Sequence, residues 1–336
     1  MKHFLGLFDF SPDELDRLVA LARRLKSGEA GDEARAIRGR IFGMVFFNPS
    51  LRTRSSSEAA MLRFGGHALT LSVGGDAWRL EHRDGAVMDG DRAEHVREAA
   101  AVLGRYCDVL GVRTFAQMHD AAEDAADTVL QTFAKYAGVP VVSLESAVEH
   151  SCQGMADMMT LAEKLGPTPG KRFVLTWAPH VKGLPMAVPH SAMLAAAAAG
   201  MNVTIAHPPG YELGEAFLDR AQQWCAAAGA SLAVTDDQRT ACRDADAVYA
   251  KSWGNPAMYG DPDAQKDDFR RHADWMIGPR HLGKPTTVLM HCLPVRRNVV
   301  IADSAMDDPR CAVIDQAENR LWTQAAVLST MLSKIQ

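Results

Sequence analysis

Short apolar runs recur along the first half of the chain, and segments with helical spacing separate them. The runs that we predict to be strands are 41–47, 68–73, 109–112 and 139–144. The segment 93–106 is typical of the helices between them. This alternation predicts a parallel sheet with helices on both faces.

A second series of apolar runs occupies the other half of the chain. Its members are 173–177, 203–206, 232–235, 247–250, 287–290 and 312–314. They predict another sheet of the same kind. The expected fold class is therefore α/β, with two doubly wound parallel-sheet domains.

Length supports a division into two domains. The 336 residues are long for one hydrophobic core, and domains of about 150 residues are expected. The segment 149–165 is apolar at helical spacing, so we expect a helix that bridges the halves. We predict one domain over 1–148, a second over 149–315 and an amphipathic C-terminal helix over 316–336.

Composition excludes several classes of partner. A formal charge of −5 argues against a general nucleic-acid binder. No apolar run approaches the roughly 20 residues of a membrane-spanning helix, so no membrane partner is expected. The apolar stretch 4–8 is too brief for the core of a signal peptide, and we expect a cytoplasmic protein.

Cysteine and histidine spacing predicts neither a metal site nor a disulfide framework. The six cysteines form no C-x-x-C pair, and the twelve histidines show no H-x-H or H-x-x-x-H spacing. The chain has no G-x-G-x-x-G after a strand, and the segment 166–171 has the wrong spacing for a phosphate-binding Walker loop. No cofactor is expected.

Polar residues whose side chains can take part in binding or catalysis follow the predicted strands. They are Ser50, Arg113, Glu145, His150, Lys251 and His291. In open α/β sheets ligands gather beyond the carboxyl ends of the strands or between domains. We therefore expect these side chains to meet in one cleft.

The first strand runs into a turn that has the layout of an anion site. Pro49 ends the apolar run, Ser50 is a good N-cap, and a helix is predicted to begin near Arg52. The free N–H groups of that helix, two hydroxyls and a guanidinium would converge on one phosphate. The alternative is an ordinary capped helix with solvated arginines.

Four short motifs carry a family resemblance. They are Ser50–Arg54, which resembles S-x-R-T-R; His150–Gln153, which resembles H-P-x-Q with Ser151 in place of proline; His291–Pro294, which matches H-C-L-P; and Glu318–Arg320, which resembles a terminal E-N-R. All four are signatures of the aspartate and ornithine carbamoyltransferases, and together they span most of the chain. The resemblance implies carbamoyl transfer from carbamoyl phosphate, without a covalent nucleophile.

The resemblance also implies roles for individual residues. The catalytic set that it implies is Thr53, Arg113, His150, Gln153, Cys292, Leu293 and Arg320. The same residues would bind carbamoyl phosphate together with Ser50, Leu51, Arg52 and Trp78. In the family, the loop that carries this tryptophan reaches into the neighbouring subunit's site, so a homotrimer is the implied assembly.

Four of these residues also have another interpretation. His150 at a helix start is typical of a capping residue, Arg320 of a helix-surface charge, and Trp78 of a core residue. Cys292 beside a histidine is compatible with a thiol nucleophile. Against that, the H-C-L-P motif in the family acts through its backbone, with Leu293-Pro294 expected as a cis peptide.

The amino substrate is indicated by the segment 249–254. Ornithine carbamoyltransferases usually carry D-x-x-x-S-M-G there to grip a free α-amino group, whereas this chain has Lys251. Its sequence resembles the N-acetyl- and N-succinylornithine branch, which implies Glu145, His180, Lys251 and Arg296 as substrate-side residues. Glu145 and Arg296 are equally compatible with structural ion pairs. The loop 177–189 also resembles the proline-rich loop of that branch, which implies a knot.

Two departures bear on the acyl group. Ala93 stands where the acetyl branch has Glu and the succinyl branch has Pro, and Val300 stands where the acetyl branch has Lys. Alanine removes a carboxylate that would repel a succinyl group, so we expect N-succinylornithine to be favoured and N-acetylornithine to come next. The alternatives are an ornithine carbamoyltransferase and a non-catalytic relative that only binds anions.

Overall fold

The structure is a computed structural model that describes residues 2–333. Its strands are β1 (Ile41–Phe46), β2 (His67–Ser72), β3 (Leu80–Glu81), β4 (Glu94–His95), β5 (Val109–Arg113), β6 (Val141–Glu145), β7 (Arg172–Trp177), β8 (Asn202–Ala206), β9 (Leu232–Thr235), β10 (Ala247–Lys251) and β11 (Val288–Met290). Its α-helices are α1 (Pro12–Ser27), α2 (Gly31–Arg35), α3 (Arg52–Arg63), α4 (Val96–Tyr106), α5 (Ala121–Ala126), α6 (Thr128–Tyr136), α7 (Ser151–Leu165), α8 (Ala187–Ala198), α9 (Glu215–Ala227), α10 (Gln238–Arg243), α11 (Pro262–Arg271), α12 (Asp303–Met306) and α13 (Val313–Leu332).

The first sheet is parallel, with the strand order β2-β1-β5-β6. Its register pairs Phe46 with both Ser72 and Arg113, and it pairs Arg113 with Glu145. The carboxyl ends of these strands therefore lie at one edge, and the first predicted sheet is confirmed. The two-residue strands β3 and β4 form a separate parallel pair outside it.

The second sheet is also parallel, with the order β11-β10-β7-β8-β9. Its register pairs Lys251 with Trp177 at the carboxyl ends of β10 and β7. The prediction of two doubly wound sheets is confirmed. The expected knot in loop 177–189 stays a prediction.

The predicted strand at 312–314 is wrong. Cys311 makes only an isolated parallel bridge with Leu289, and α13 begins two residues later at Val313. Three apolar residues do not reveal a period, and burial of Ala312 and Val313 serves a helix start as well as a strand. The C-terminal helix thus begins three residues before the predicted limit at 316; the domain limits themselves stay a prediction.

Helix α13 packs against α1, α3 and α7, so the end of the chain returns to the first sheet's helices. Hydrogen bonds between side chains fix this contact. Asn319 Nδ2 donates to Thr160 Oγ1 on α7 at 3.0 Å, and Ser57 Oγ on α3 donates to Gln324 Oε1 at 2.9 Å. Among residues 2–333, no helix is long and apolar enough to cross a membrane.

A buried carboxyl group holds the N-terminal segment against the start of α7. Glu149 Oε2 accepts from Leu7 N–H at 2.9 Å, and its Oε1 accepts from Phe8 N–H at 3.3 Å. A side chain at Gly6 would place a Cβ in steric overlap with Glu149 Oε1, so any other residue there would displace the carboxyl group from its present position. Burial raises the pKa of Glu149 to about 8, because desolvation penalises the ionised form.

The raised pKa of Glu149 predicts that the stability of the folded chain depends on pH. Its pKa is about 8 in the folded chain against 4.5 for an unperturbed glutamate, so the folded chain binds the proton more tightly between those values. The contribution of Glu149 to stability is therefore complete below pH 4.5 and is lost as pH rises to 8, by at most about 1.4 kcal/mol per pH unit.

Glu149→Gln should remove this dependence. Chemical denaturation of both proteins between about pH 5 and 8.5 should show the variant gaining stability relative to wild type as pH rises. The contributions of other titrating groups to the free energy of unfolding are the same in both proteins, so they cancel in the difference. A difference that stays constant across this range would contradict the assignment.

Candidate active site

A cavity of about 550 Å³ lies where the carboxyl ends of the two sheets face each other. The predicted site residues that line it are Ser50, Arg52, Thr53, Arg113, Glu145, His150, His180, Lys251, Cys292, Leu293, Arg296 and Arg320. A larger groove of about 810 Å³ is lined by segments 166–169 and 197–200. Those segments precede β7 and β8, so that groove lies at the amino ends of the strands, away from the polar cluster.

The turn between β1 and α3 has the expected geometry. Ser50 Oγ accepts from Thr53 N–H at 3.2 Å, which caps the first turn of the helix that begins at Arg52. The Leu51 side chain between them is 74% exposed and does not line the cavity, so any contribution of this residue comes through its backbone.

One hydroxyl group is shared by two guanidinium groups. Arg113 Nη1 donates to Thr53 Oγ1 at 3.3 Å, and Arg320 Nη2 donates to the same atom at 2.6 Å. Arg113 comes from the end of β5 and Arg320 from α13. Two elements far apart in sequence are thereby joined at the start of α3.

The cluster of cations has spare hydrogen-bonding capacity. The Nε atoms of Arg52, Arg113 and Arg320 are buried and have no hydrogen-bond partner among the described residues. Burial lowers the pKa of Arg52 and of Arg320 below the usual arginine value, and neighbouring arginines add to the shift. Guanidinium groups stay charged in proteins, so the arrangement favours an anionic ligand.

Glu145 lies across this cluster. Its Oε2 is 2.6 Å from Arg113 Nη1 and 3.4 Å from His150 Nε2. The ion pair with Arg113 follows directly from the strand register, which sets the two residues side by side. The structural interpretation of Glu145 as an ion-pair partner is thus fulfilled, and its contact with substrate stays a prediction.

His150 is buried and held neutral. Burial lowers its pKa well below the usual histidine value, and Arg320 and Arg113 add to this effect. Its backbone N–H donates to Ser191 Oγ at 2.9 Å, and its Nδ1 has no partner among the described residues. A neutral imidazole fixed at a helix start can hydrogen-bond a ligand without adding charge.

Gln153 lies one turn further along α7. It is fully buried and does not line the cavity wall. Its Nε2 donates to Asp157 Oδ1 at 2.8 Å, whereas its Oε1 is without a partner in the described part of the chain. Gln153 therefore has one free acceptor.

The second domain supplies the segment after β11. The Leu293–Pro294 peptide is cis, as expected, and Leu293 N–H donates to His291 Nδ1 at 2.8 Å. Burial raises the pKa of the Cys292 thiol. This thiol is therefore neutral near pH 7, which argues against a thiolate nucleophile.

Basic side chains line the second-domain side of the cavity. Lys251 at the end of β10 is buried, and Arg296 Nε donates to His180 Nε2 at 3.2 Å. Burial lowers the pKa of His180 to about 4, and Lys251 and Arg296 contribute to the shift. His180 is therefore neutral, and this wall carries its charge on the lysine and arginine.

Trp78 and Ala93 do not line the cavity of their own chain. They lie together on an exposed surface: Trp78 Nε1 donates to Glu94 Oε2 at 2.8 Å, and Ala93 N–H donates to the Arg79 carbonyl at 3.2 Å. Trp78 is 62% exposed, so its interpretation as a core residue is wrong. A role for either residue in a site requires another subunit.

Eight residues that line the cavity were not among the predicted site residues, and Phe115 and Lys182 are the two of them with an aromatic or charged side chain. Phe115 stacks on Arg113, with the guanidinium carbon 4.5 Å from the ring centroid. Lys182 lies in the loop 177–189 and is exposed at the cavity. Phe115 follows the end of β5 by two residues, so closer attention to strand ends would have found it. Among residues 2–333, no group of three or more His, Cys, Asp or Glu side chains is arranged to hold a metal ion.

Comparisons with known proteins show the family to which the chain belongs. The family model for the aspartate/ornithine carbamoyltransferase carbamoyl-P binding domain matches residues 2–163, and that for the Asp/Orn binding domain matches residues 186–331. N-acetylornithine carbamoyltransferase of Xanthomonas campestris is 43% identical over 339 residues, covering 99% of this chain and 98% of that enzyme. N-succinylornithine carbamoyltransferase of Bacteroides thetaiotaomicron is 38% identical over 300 residues, covering 89% of each chain.

Solved structures resemble the whole chain as well. A crystal structure of acetylornithine transcarbamylase complexed with acetylcitrulline superposes with a TM-score of 0.94 at 42% identity, covering 98% of this chain and 99% of that one. A Glu-to-Ala variant of N-acetyl-L-ornithine transcarbamylase, complexed with carbamyl phosphate and N-succinyl-L-norvaline, gives 0.93 at 43% identity, covering 98% and 100%. The chain therefore belongs to the aspartate/ornithine carbamoyltransferase family and is a carbamoyltransferase.

Proposed function

We propose that the enzyme transfers the carbamoyl group of carbamoyl phosphate to the δ-amine of an N-acyl-L-ornithine, giving N-acylcitrulline and phosphate in arginine biosynthesis. The observation that carries this proposal is the cavity itself. It joins a cluster of buried arginines from the first sheet and α13 to a basic wall from the second sheet. Carbamoyl phosphate and the α-carboxylate of an N-acylornithine fit such a surface.

The phosphate is assigned to the start of α3. Ser50, Arg52 and Thr53 offer hydroxyl and guanidinium donors there, and the helix adds free N–H groups and the positive end of its dipole. The Leu51 backbone belongs to the same turn. The unpartnered Nε of Arg52 supports this placement, because a phosphate oxygen would satisfy it.

The carbamoyl group is assigned to the centre of the cluster. Thr53, Arg113, His150 and Arg320 would surround its carbonyl oxygen and stabilise the negative charge that develops there. Gln153 Oε1 and the carbonyl oxygens of Cys292 and Leu293 would accept from its NH2 group. These contacts favour attack on the carbonyl carbon.

The chemical step needs no further base. The neutral δ-nitrogen attacks the carbonyl carbon, a C–N bond forms, and the C–O bond to the phosphate breaks. The leaving phosphate takes the proton that the amine gives up. Neutral Cys292 and neutral His150 agree with a step in which the protein supplies positioning and electrostatics.

The acceptor side favours an acylated ornithine. Lys251 and Arg296 place positive charge where the α-carboxylate of the amino substrate would bind, and neutral His180 accepts a hydrogen bond from Arg296. A free α-ammonium beside Lys251 would be repelled, whereas an acylated nitrogen carries no charge. Plain ornithine is therefore the poorer acceptor.

We assign N-succinyl as the favoured acyl group and N-acetyl as the second. Ala93 lacks the carboxylate that would repel a succinyl group. The relative that carries alanine in place of a glutamate was crystallised with N-succinyl-L-norvaline, which supports this preference. Higher identity to an acetylornithine enzyme than to a succinylornithine enzyme reflects the whole chain rather than the few positions beside the acyl group.

A homotrimer with shared sites fits the placement of Trp78 and Ala93. Both lie on one exposed surface around β3 and β4, away from the cavity of their own chain. A neighbouring copy would receive them at its amino-substrate side. A non-catalytic anion binder is disfavoured, since binding phosphate alone would not require Arg113, His150, Gln153 and Arg320 together.

Arg52→Ala should weaken binding of carbamoyl phosphate without unfolding the protein. The loss of a charge-assisted hydrogen bond costs about 1.5–3 kcal/mol, or roughly 10- to 100-fold in affinity. Calorimetric titration measures it. The matched control is Arg54→Ala, because Arg54 lies on the same helix, pairs with Glu58 at 3.0 Å and does not line the cavity. Equal affinity for wild type and Arg52→Ala would remove this helix start from the site.

Lys251→Met should chiefly raise the KM for the N-acylornithine, by roughly 10- to 100-fold, since a buried charged partner of its carboxylate is lost. The KM for carbamoyl phosphate should change much less. Steady-state kinetics with each substrate varied in turn decide this. Lys266→Met, an exposed lysine on α11, is the control. An unchanged KM for the amino substrate counts against the assigned role of Lys251.

The acyl preference is tested by comparing kcat/KM for N-succinyl-, N-acetyl- and free L-ornithine at fixed carbamoyl phosphate. We expect the order succinyl, acetyl, ornithine. Ala93→Glu should lower kcat/KM for the succinyl compound while sparing the acetyl compound, because like charges repel. Ala93→Gln, which adds nearly the same volume without charge, is the matched control. A preference for acetyl in the wild type overturns the acyl assignment, and a preference for ornithine overturns the branch.

A further inference from the structure

A buried carboxyl group lies behind the cavity and connects its two halves. Asp157 is on α7, one turn after Gln153, and it is fully buried. Its Oδ1 accepts from Gln153 Nε2 at 2.8 Å and from Gln316 Nε2 at 2.6 Å. Its Oδ2 has no hydrogen-bond partner among the described residues. A single carboxylate oxygen thus receives two amide groups.

Each of these amides is fixed in one orientation as a result. Because Gln153 donates through Nε2, its Oε1 is the atom left free. Because Gln316 donates through Nε2, its Oε1 faces the other way and accepts from His291 N–H at 3.0 Å. His291 begins the segment whose Cys292 and Leu293 line the cavity. Without this shared acceptor Gln153 would have no side-chain partner among the described residues and would be free to turn over, whereas Gln316 would keep His291 N–H and the Tyr249 hydroxyl as partners and lose only its bond to α7.

We infer that Asp157 is a positioning residue for carbamoyl transfer. It orients Gln153 so that Oε1 accepts from the carbamoyl NH2 group, and through Gln316 it holds the His291–Pro294 segment whose carbonyl oxygens accept from the same group. This inference rests on the proposed placement of the carbamoyl group. Asp157 itself touches neither substrate.

The geometry separates this role from phosphate binding. The start of α3 is built from Ser50, Arg52 and Thr53, and none of these residues contacts Asp157 through a hydrogen bond among those that the structure describes. Loss of Asp157 should therefore disturb the step in which the carbonyl carbon is attacked and should leave the phosphate site intact. Both amides donate to the same oxygen of Asp157. An uncharged side chain with an acceptor oxygen in that place would therefore orient them as well.

Asp157→Leu tests the inference with a side chain of similar shape and no acceptor. We expect kcat to fall by about 100-fold, the loss typical of a misplaced reacting group, while the dissociation constant of inorganic phosphate stays at the wild-type value. Asp157→Asn keeps one acceptor oxygen for both amides and should retain kcat within error. This conservative variant also guards against failure of the leucine variant to fold.

The matched control is Thr160→Val. Thr160 lies three residues further along α7, is equally buried, and accepts from Asn319 on α13, but among the described residues its side chain forms no hydrogen bond with Gln153 or Gln316. Its kcat should fall far less than that of Asp157→Leu, because Gln316 and Gln324 still secure α13 on either side of Arg320. If it loses kcat as Asp157→Leu does, loosened packing of α7 on α13 explains both variants and the inference is overturned.

Three further outcomes would overturn the positioning role of Asp157. Wild-type kcat in Asp157→Leu, or a loss of about 100-fold in Asp157→Asn, overturns the inference, and so does a parallel loss of phosphate affinity. All variants are assayed with the amine that the wild type uses best. If the wild type carbamoylates none of the amines, the proposed function fails instead, and the two failures are thereby distinguished.

Discussion

Two buried guanidinium groups that share one threonine hydroxyl, with a third, half-buried guanidinium beside them, impose the main constraint on this structure. Arg113 and Arg320 both donate to Thr53 Oγ1, and Arg52 lies at the same helix start. Desolvation and mutual repulsion disfavour such a cluster. Glu145 compensates Arg113, and an anion bound at the cavity would compensate the others. The demand for an anionic ligand thus follows from a charge imbalance that the fold holds in place.

Holding like charges together requires rigid supports from distant parts of the chain. The strand register fixes Arg113 beside Glu145, and α13 carries Arg320 back from the second domain. Side-chain amides on α13 secure that helix on both sides of the arginine: Gln316 and Asn319 bind α7, and Gln324 binds α3. The return of the last helix to the first sheet is therefore a requirement of the site and not only of packing.

The sequence predicted those features that depend on local pattern. Buried strands, the helix start at Arg52 and the gathering of polar residues at strand ends are all consequences of periodicity and chain topology. It failed at 312–314, where three apolar residues are too few to reveal a period. Lys182 escaped notice because it lies in an exposed loop, where a lysine is ordinary. The hydrogen bonds of Asp157 join residues up to 159 positions apart, and no local pattern contains such information.

Positive potential at the cavity also bears on the amine that reacts. Lys251 and Arg296 attract carboxylates, and together with the arginine cluster they lower the pKa of any ammonium that enters, because like charges favour its deprotonation. In the proposed reaction the δ-nitrogen must be neutral to attack the carbonyl carbon, so this potential would assist the reaction there. At the α-nitrogen the same potential would only weaken binding. On the proposed function, acylation would remove the α-ammonium that the cavity repels and would leave the δ-ammonium whose deprotonation the cavity favours.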